Sequence, residues 1–173
     1  MRAKNFKGPD KYFHLSIQFA THSIFKELSW VFIQKTLHQI SVFYEIEIQA
    51  LVMMDSHIHI LILSHNRNEN YFSADLLQLL KSNDSIERIS KPITNHAQYL
   101  YTYRYIYRNP VEAGICKTVL EYPYSSLQGL LGKSYLYVQV NDQLGLIQNS
   151  VHVLNWLNEK PQFKASKLRW AEF

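Results

Sequence analysis

The chain has 173 residues, 47% hydrophobic and 18% charged, the composition of a folded domain with a real core rather than of a disordered chain. A single cysteine, Cys116, excludes a disulfide framework or a thiolate zinc site within one chain, and no apolar run approaches the roughly 18–20 residues that cross a bilayer. The formal charge of +4, with 12 Tyr, 9 Phe and 3 Trp, tilts towards a polyanionic partner, because aromatics interleaved with Lys and Arg stack on unpaired bases.

The first residues, "MRAKNFKGPDK", read as a basic lead-in with a turn at Gly8-Pro9-Asp10. No long apolar segment follows its positive charges, so the expectation is a cytoplasmic protein with no membrane partner. Residues 12–20 alternate, with Phe13, Leu15, Ile17 and Phe19 on one face and His14, Ser16 and Gln18 on the other, which predicts a half-buried strand. Residues 23–40 carry apolar side chains at helical spacing and predict a buried helix, with Ser23 as its N-cap. Residues 43–54 and 56–64 are two apolar strands joined by a short turn at Asp55-Ser56, a hairpin. A loop at 65–70 leads to a short helix over 73–82, capped by Ser73, and then to a short strand over 85–93, where Pro92 marks an edge or a strand end.

Residues 94–109 predict a helix with Thr94 or Asn95 as cap, ending at Asn109-Pro110 because the residue before a proline disfavours the helical region. Beyond Gly114 the chain turns irregular, apart from a last helix around residues 151–160. The order strand–helix–strand–strand–helix–strand is a ferredoxin-like split βαβ pattern: an α+β fold with an antiparallel sheet, an added tyrosine-bearing helix and a C-terminal extension. One domain spans 1–173, with a core of about 10–132 and an extension over 133–173. In that topology the first and third strands are neighbours, which brings His14, Ser16 and Gln18 close to the third strand.

Two constellations carry chemistry. In "MDSHIHIL", His57 and His59 are two residues apart on a strand, so both imidazoles point to one face and Ile58, Ile60 and Ile62 to the other. Two imidazoles on a rigid strand are half of a metal site, or else two hydrogen-bonded residues on a sheet surface. In "YTYRYIYRNPVEAGI", Tyr101, Tyr105 and Asn109 fall on one helical stripe, with Arg104 and Arg108 on the adjacent one. By spacing alone this helix either packs through Tyr103, Ile106 and Tyr107 with its arginines solvated, or gathers a phenol, an amide and two guanidiniums for function. His14 reads as a hydrogen-bonded strand residue rather than a further ligand. The C-terminal "KPQFKASKLRWAEF" is either a basic–aromatic arm on DNA or a loosely packed tail.

Together, "MDSHIHIL", "RYIYRNPVEAG" and the following "EYPYSSLQGLLG" resemble the single-tyrosine HUH transposases, most closely the REP-associated tyrosine transposases, over about residues 10–132. The resemblance implies that His57 and His59 bind a metal, that Tyr105 is the nucleophile and that Asn109, one turn on, supplies a third, oxygen ligand. A mixed nitrogen and oxygen set of this kind suits Mg²⁺ or Mn²⁺. It also implies strand cleavage of hairpin-bearing single-stranded DNA through a 5′-phosphotyrosine intermediate, by a monomer or homodimer, with Tyr101, Arg104 and Arg108 on the DNA.

The stretch 66–91 is shorter than its counterpart in that family, which sets beside the enzyme a second reading, a catalytically inactive single-stranded DNA-binding protein. A histidine-triad hydrolase is excluded by Leu61 in the third histidine's place, and a two-histidine phosphoesterase by the missing hydroxyl residue in "HIHI".

Overall fold

The computed structural model describes residues 11–19, 28–80 and 87–159. Four strands, β1 (Tyr12–Gln18), β2 (Ile46–Met53), β3 (His57–Ser64) and β4 (Glu87–Ile93), form one antiparallel sheet in the order β2-β3-β1-β4. The first and third strands are thus neighbours in its centre, as the split βαβ order requires. Helices α1 (Trp30–Phe43) and α2 (Glu69–Leu80) cover one face, and α3 (His96–Glu112) and α5 (Ser150–Asn158) pack on the other. A single turn of helix, α4 (Leu127–Leu130), lies between them in the chain. The fold is α+β.

Strand parity explains both cores. Phe13, Leu15 and Ile17 of β1 and Ile58, Ile60 and Ile62 of β3 point to the first face, where Ile33 and Leu37 of α1 and Phe72 and Leu76 of α2 meet them. Tyr12, Leu61 and Leu63 point to the second face and meet Tyr99, Tyr103, Ile106 and Tyr107 of α3. β3 is therefore apolar on both faces, and burying each of its Leu and Ile side chains contributes about 1.5–3 kcal/mol. His59 sits at the boundary where the second core gives way to the site.

Several boundaries differ from the sequence reading, each for a local reason. The described part of the first helix begins at Trp30, where Ser29 Oγ accepts from Phe32 N–H at 3.1 Å. The predicted cap Ser23, the Gly8-Pro9-Asp10 turn and the basic–aromatic tail lie outside the described residues. Helix α2 starts four residues early, and Ser73 lies inside it with Oγ donating to Glu69 O at 2.7 Å, so it caps nothing. The turn before α2 is held instead by Asn68, whose N–H donates to Ser64 Oγ and whose Nδ2 donates to Tyr44 O.

α3 runs through Pro110 rather than ending at it. The proline lacks only a donor, and its carbonyl still accepts from Ile115 N–H at 2.9 Å while Gly114 N–H donates to Val111 O. That paired closure, with Gly114 at φ +71°, is the Schellman end that stops the helix three residues later than the pre-proline bias predicts.

Residues 122–126, with Asn141 of the C-terminal extension, close the edge of β2. Ser126 N–H donates to Leu51 O, Leu51 N–H to Ser126 Oγ, Met53 N–H to Tyr124 O and Asn141 N–H to Ile48 O. Tyr122 OH adds a 2.7 Å bond to Met53 O. Edge groups that would otherwise template a foreign strand are occupied from within.

Candidate active site

His57 and His59 enter the site from β3, opposite Gln18 and Ser16 of β1. His59 is buried, at 5% exposure, and His57 is half-buried. Their ring centroids lie 4.6 Å apart. Tyr105 and Asn109, both half-buried, come down from α3 onto the same spot. Their stripe is turned aside from the Tyr103–Tyr107 stripe, which is fully buried and anchors the helix through Tyr107 OH and Ser126 Oγ at 2.9 Å. The anchoring tyrosines thereby aim their neighbours at the histidines.

The contacts are close. Asn109 Nδ2 lies 2.9 Å from His59 Nε2, and the Tyr105 ring is 5.4 Å from that of His59. The Asn109 amide also lies close enough to His57 and Tyr105 to influence the titration of both. The structure thus brings together four residues singled out in the sequence: His57, His59, Tyr105 and Asn109. It adds a fifth. His14 of β1 places Nε2 at 3.1 Å from His59 Nδ1 and its ring 5.8 Å from Tyr105. Its signal in the sequence was parity with Ser16 and Gln18; only the β1–β3 register, which sets Ser16 opposite His59, makes the contact specific.

Tyr101 shares the Tyr105 stripe and is 47% exposed. The arginines lie elsewhere. Arg108 is buried, paired with Glu112, and donates to Leu157 O at 2.9 Å and Glu159 O at 2.6 Å. Arg104 also donates to Glu159 O and lies 5.8 Å from the Trp156 ring. Both guanidiniums tie α3 to the end of α5 rather than joining the histidine–tyrosine cluster.

The electrostatics favour neutral imidazoles. Burial, reinforced by His14 and His57, holds His59 well below the usual histidine range. Burial also lowers His57, against a smaller raising influence of its bond to Asn109. His14 is lowered to about 4, first by burial and then by Lys91 beside it. Tyr105 is pushed up, first by burial and then by Tyr101, with the Asn109 bond pulling the other way. The phenol is therefore protonated at neutral pH.

The donor set suits a hard divalent cation. Ser56 Oγ occupies His57 Nδ1 at 2.9 Å and His14 occupies His59 Nδ1, so a cation would have to approach the Nε2 side of each ring, where Asn109 Nδ2 meets His59. Among the described residues no group of three His, Cys, Asp or Glu is placed to hold a metal, and Asn109 is the further polar side chain that could join His57 and His59 around one.

No protein-family model matches the chain, and no curated protein matches its sequence. Its fold is similar to that of one solved transposase. The solved structure of a REP-associated tyrosine transposase bound to a REP hairpin is similar to it, with a TM-score of 0.60 at 16% identity, over 78% of this chain and 88% of that one. At that identity the likeness establishes the architecture, a four-stranded antiparallel sheet with helices, and leaves the chemistry to the site's own residues. Among the described residues no helix is long and apolar enough to cross a membrane.

Proposed function

We propose that this protein cleaves and rejoins single-stranded DNA carrying hairpins, as a single-tyrosine HUH transposase. The observation that carries the reading is the meeting of Tyr105 and Asn109 of α3 with His57 and His59 of β3, with Asn109 Nδ2 at 2.9 Å from His59 Nε2. The transposase whose fold this chain shares was solved with a REP hairpin, which favours the same class of substrate.

In the proposed step, Tyr105 Oη attacks a backbone phosphorus. The new Oη–P bond forms as the P–O3′ bond breaks, the phenolic proton passes in net to the leaving 3′ oxygen, and the products are a 5′-phosphotyrosine and a free 3′-OH. The phosphodiester energy stays in the covalent link, so a second 3′-OH can reverse the step without a nucleotide cofactor. His57, His59 and Asn109 would hold Mg²⁺ or Mn²⁺, which supplies Lewis-acid stabilisation of charge on a phosphate oxygen. The buried His59 and the half-buried Tyr105 keep bulk water from competing as nucleophile. Tyr101, exposed one turn away, offers its ring to an unpaired base. Arg108 is spent on Glu112 and the α5 carbonyls, so in this reading it positions the helix, and Arg104 acts from the rim.

The test is Tyr105→Phe, assayed on a labelled hairpin oligonucleotide with Mg²⁺ or Mn²⁺. The variant keeps the ring and loses the oxygen, so DNA binding persists while the covalent adduct and the nicked product disappear. Tyr101→Phe retains cleavage. An adduct mapped by mass spectrometry to Tyr101, Tyr103 or Tyr107 would overturn the assignment of the nucleophile. A wild-type protein that binds hairpins and forms no adduct would make it the DNA-binding protein of the second reading.

A further inference from the structure

We propose that His14 is a positioning residue: it accepts the Nδ1 proton of His59 and thereby fixes the tautomer in which the His59 Nε2 lone pair faces Asn109. The inference rests on the metal-dependent reading above for its purpose, but its geometry stands by itself.

A neutral imidazole has one N–H and one lone pair, so a bond made at one nitrogen decides what the other can do. Asn109 Nδ2 lies 2.9 Å from His59 Nε2, and an amide NH₂ can only donate. His59 Nε2 is therefore the acceptor, and the proton of this ring sits on Nδ1. The group facing Nδ1 is His14 Nε2, at 3.1 Å. His14 must then carry its own proton on Nδ1 and present Nε2 as a lone pair. The sequence of bonds is directional: Asn109 to His59, His59 to His14.

The sheet makes this contact obligatory. β1 and β3 pair with Ser16 opposite His59 and His14 opposite Leu61, so His14 is the diagonal neighbour of His59 on the same face. Only a long side chain at position 14 spans that diagonal. Water is a poor substitute, because His59 is 5% exposed. The His14 ring lies 5.1 Å from that of His59 and 5.8 Å from that of Tyr105, so it also wedges both rings from the β1 side. His57 has a cheaper arrangement, with Ser56 Oγ next to it in the chain at 2.9 Å. The more buried of the two imidazoles has its partner brought from another strand.

Without an acceptor at position 14, the His59 Nδ1–H is buried with nothing to bond. The ring then gains by moving its proton to Nε2, which the amide of Asn109 can accept by turning over. That tautomer has no lone pair to offer at Nε2. Loss of such an outer partner costs about 10- to 100-fold in metal affinity.

The experiment uses ¹⁵N-labelled full-length protein, metal-free and at a pH where the imidazoles are neutral, with long-range ¹H–¹⁵N correlations to read each ring's tautomer. Wild type is expected to show His59 protonated at Nδ1. His14→Phe, which keeps a ring and removes the acceptor, should move the His59 proton wholly or partly to Nε2 and weaken Mn²⁺ binding about 10- to 100-fold. His14→Gln sets a carboxamide oxygen where the imidazole nitrogen was, and should restore both the Nδ1–H tautomer and Mn²⁺ affinity. Should His14→Phe fail to fold, the wild-type tautomer and the glutamine variant still decide.

His59 protonated at Nε2 in wild type, or a folded His14→Phe with unchanged tautomer and unchanged Mn²⁺ affinity, would overturn the proposal. The tautomer is read without metal or DNA. A wild-type protein that shows the Nδ1–H pattern yet binds no Mn²⁺ would therefore refute the metal-site reading while leaving the His59–His14 bond established.

Discussion

His57→Ala isolates one ligand of the proposed site. His57 is half-buried, its pairing with Gln18 is through backbone, and its side chain bonds Ser56, so truncation removes a nitrogen donor with little loss of packing. The expected outcome is a folded protein whose melting temperature is close to wild type, whose Mn²⁺ binding by calorimetry is weakened at least tenfold, and whose hairpin nicking is lost. Full metal-dependent nicking by this variant would rule out a ligand role for His57. At this scale the sequence was partly transparent. A period of two places His57 and His59 on one face whatever the rest of the chain does, and a period of 3.6 aligns Tyr105 with Asn109. Neither period says which strand lies alongside, so the contact between His14 and His59 required the register. The adjacent arginine stripe was legible only in part, for a related reason. Spacing shows that Arg104 and Arg108 neighbour each other, while the partner they meet, the end of α5, comes from about 50 residues further along the chain.

At the scale of elements, α3 is fastened to the molecule by polar groups as well as by its apolar face. Arg108 bonds Glu112 and two carbonyls at the end of α5, and it is 5% exposed. Arg108→Ala leaves those carbonyls short of a donor, and the expected loss is about 2–3 kcal/mol in urea unfolding, with the DNA affinity of the remaining folded protein little changed. A large fall in DNA affinity at unchanged stability would instead put Arg108 on the DNA.

The tyrosines of α3 make a second prediction. Burial raises Tyr99 and Tyr103 well above the ordinary value of 10.0, and Tyr107 is raised by the same cause. A phenol whose pKa is raised on folding holds its proton better in the folded state, so its contribution is complete below about pH 10 and is lost as pH climbs above that value. Stability should fall between pH 10 and 12, and phenolate absorbance from these residues should appear together with unfolding rather than before it. The elements themselves were legible where periodicity is strong, as in β1, β3 and α3. They were misplaced at α2 and at Pro110, because Asn68 bonding back to Tyr44 and a Schellman closure at Gly114 are tertiary and terminal effects that a local pattern does not carry.

Over the whole molecule, α1 and α2 cover one face of the sheet over β1–β3, and α3 and α5 cover the other only in part. Gln18 and Glu87, at the His57 end of β1 and β4, are exposed, and Ser16 and Ile89 beside them are half-buried. The topology was readable because element order alone sets the first strand next to the third. The closing of β2 by residues 122–126 and 140–141 was not, since that segment is irregular and pairs through isolated contacts. The consequence for binding follows from shape and charge. The Tyr101 ring, 47% exposed beside the histidine–tyrosine cluster, can stack on the free bases of a single strand, whereas the bases of a blunt duplex are already stacked on each other. With a formal charge of +4, phosphate contacts should release counterions, at about 0.7 in the log–log salt slope for each contact on a single strand. Fluorescence anisotropy across a salt series should therefore give tighter binding to a hairpin with single-stranded flanks than to a blunt duplex of equal length, with a slope that corresponds to several phosphates. Tyr101→Ala should lower the affinity for the flanked hairpin by about 1–3 kcal/mol, the usual value of one stacked base, and leave the salt slope unchanged. Equal affinity for the two DNAs, with no effect of Tyr101→Ala, would mean that the aromatic rim does not meet the bases.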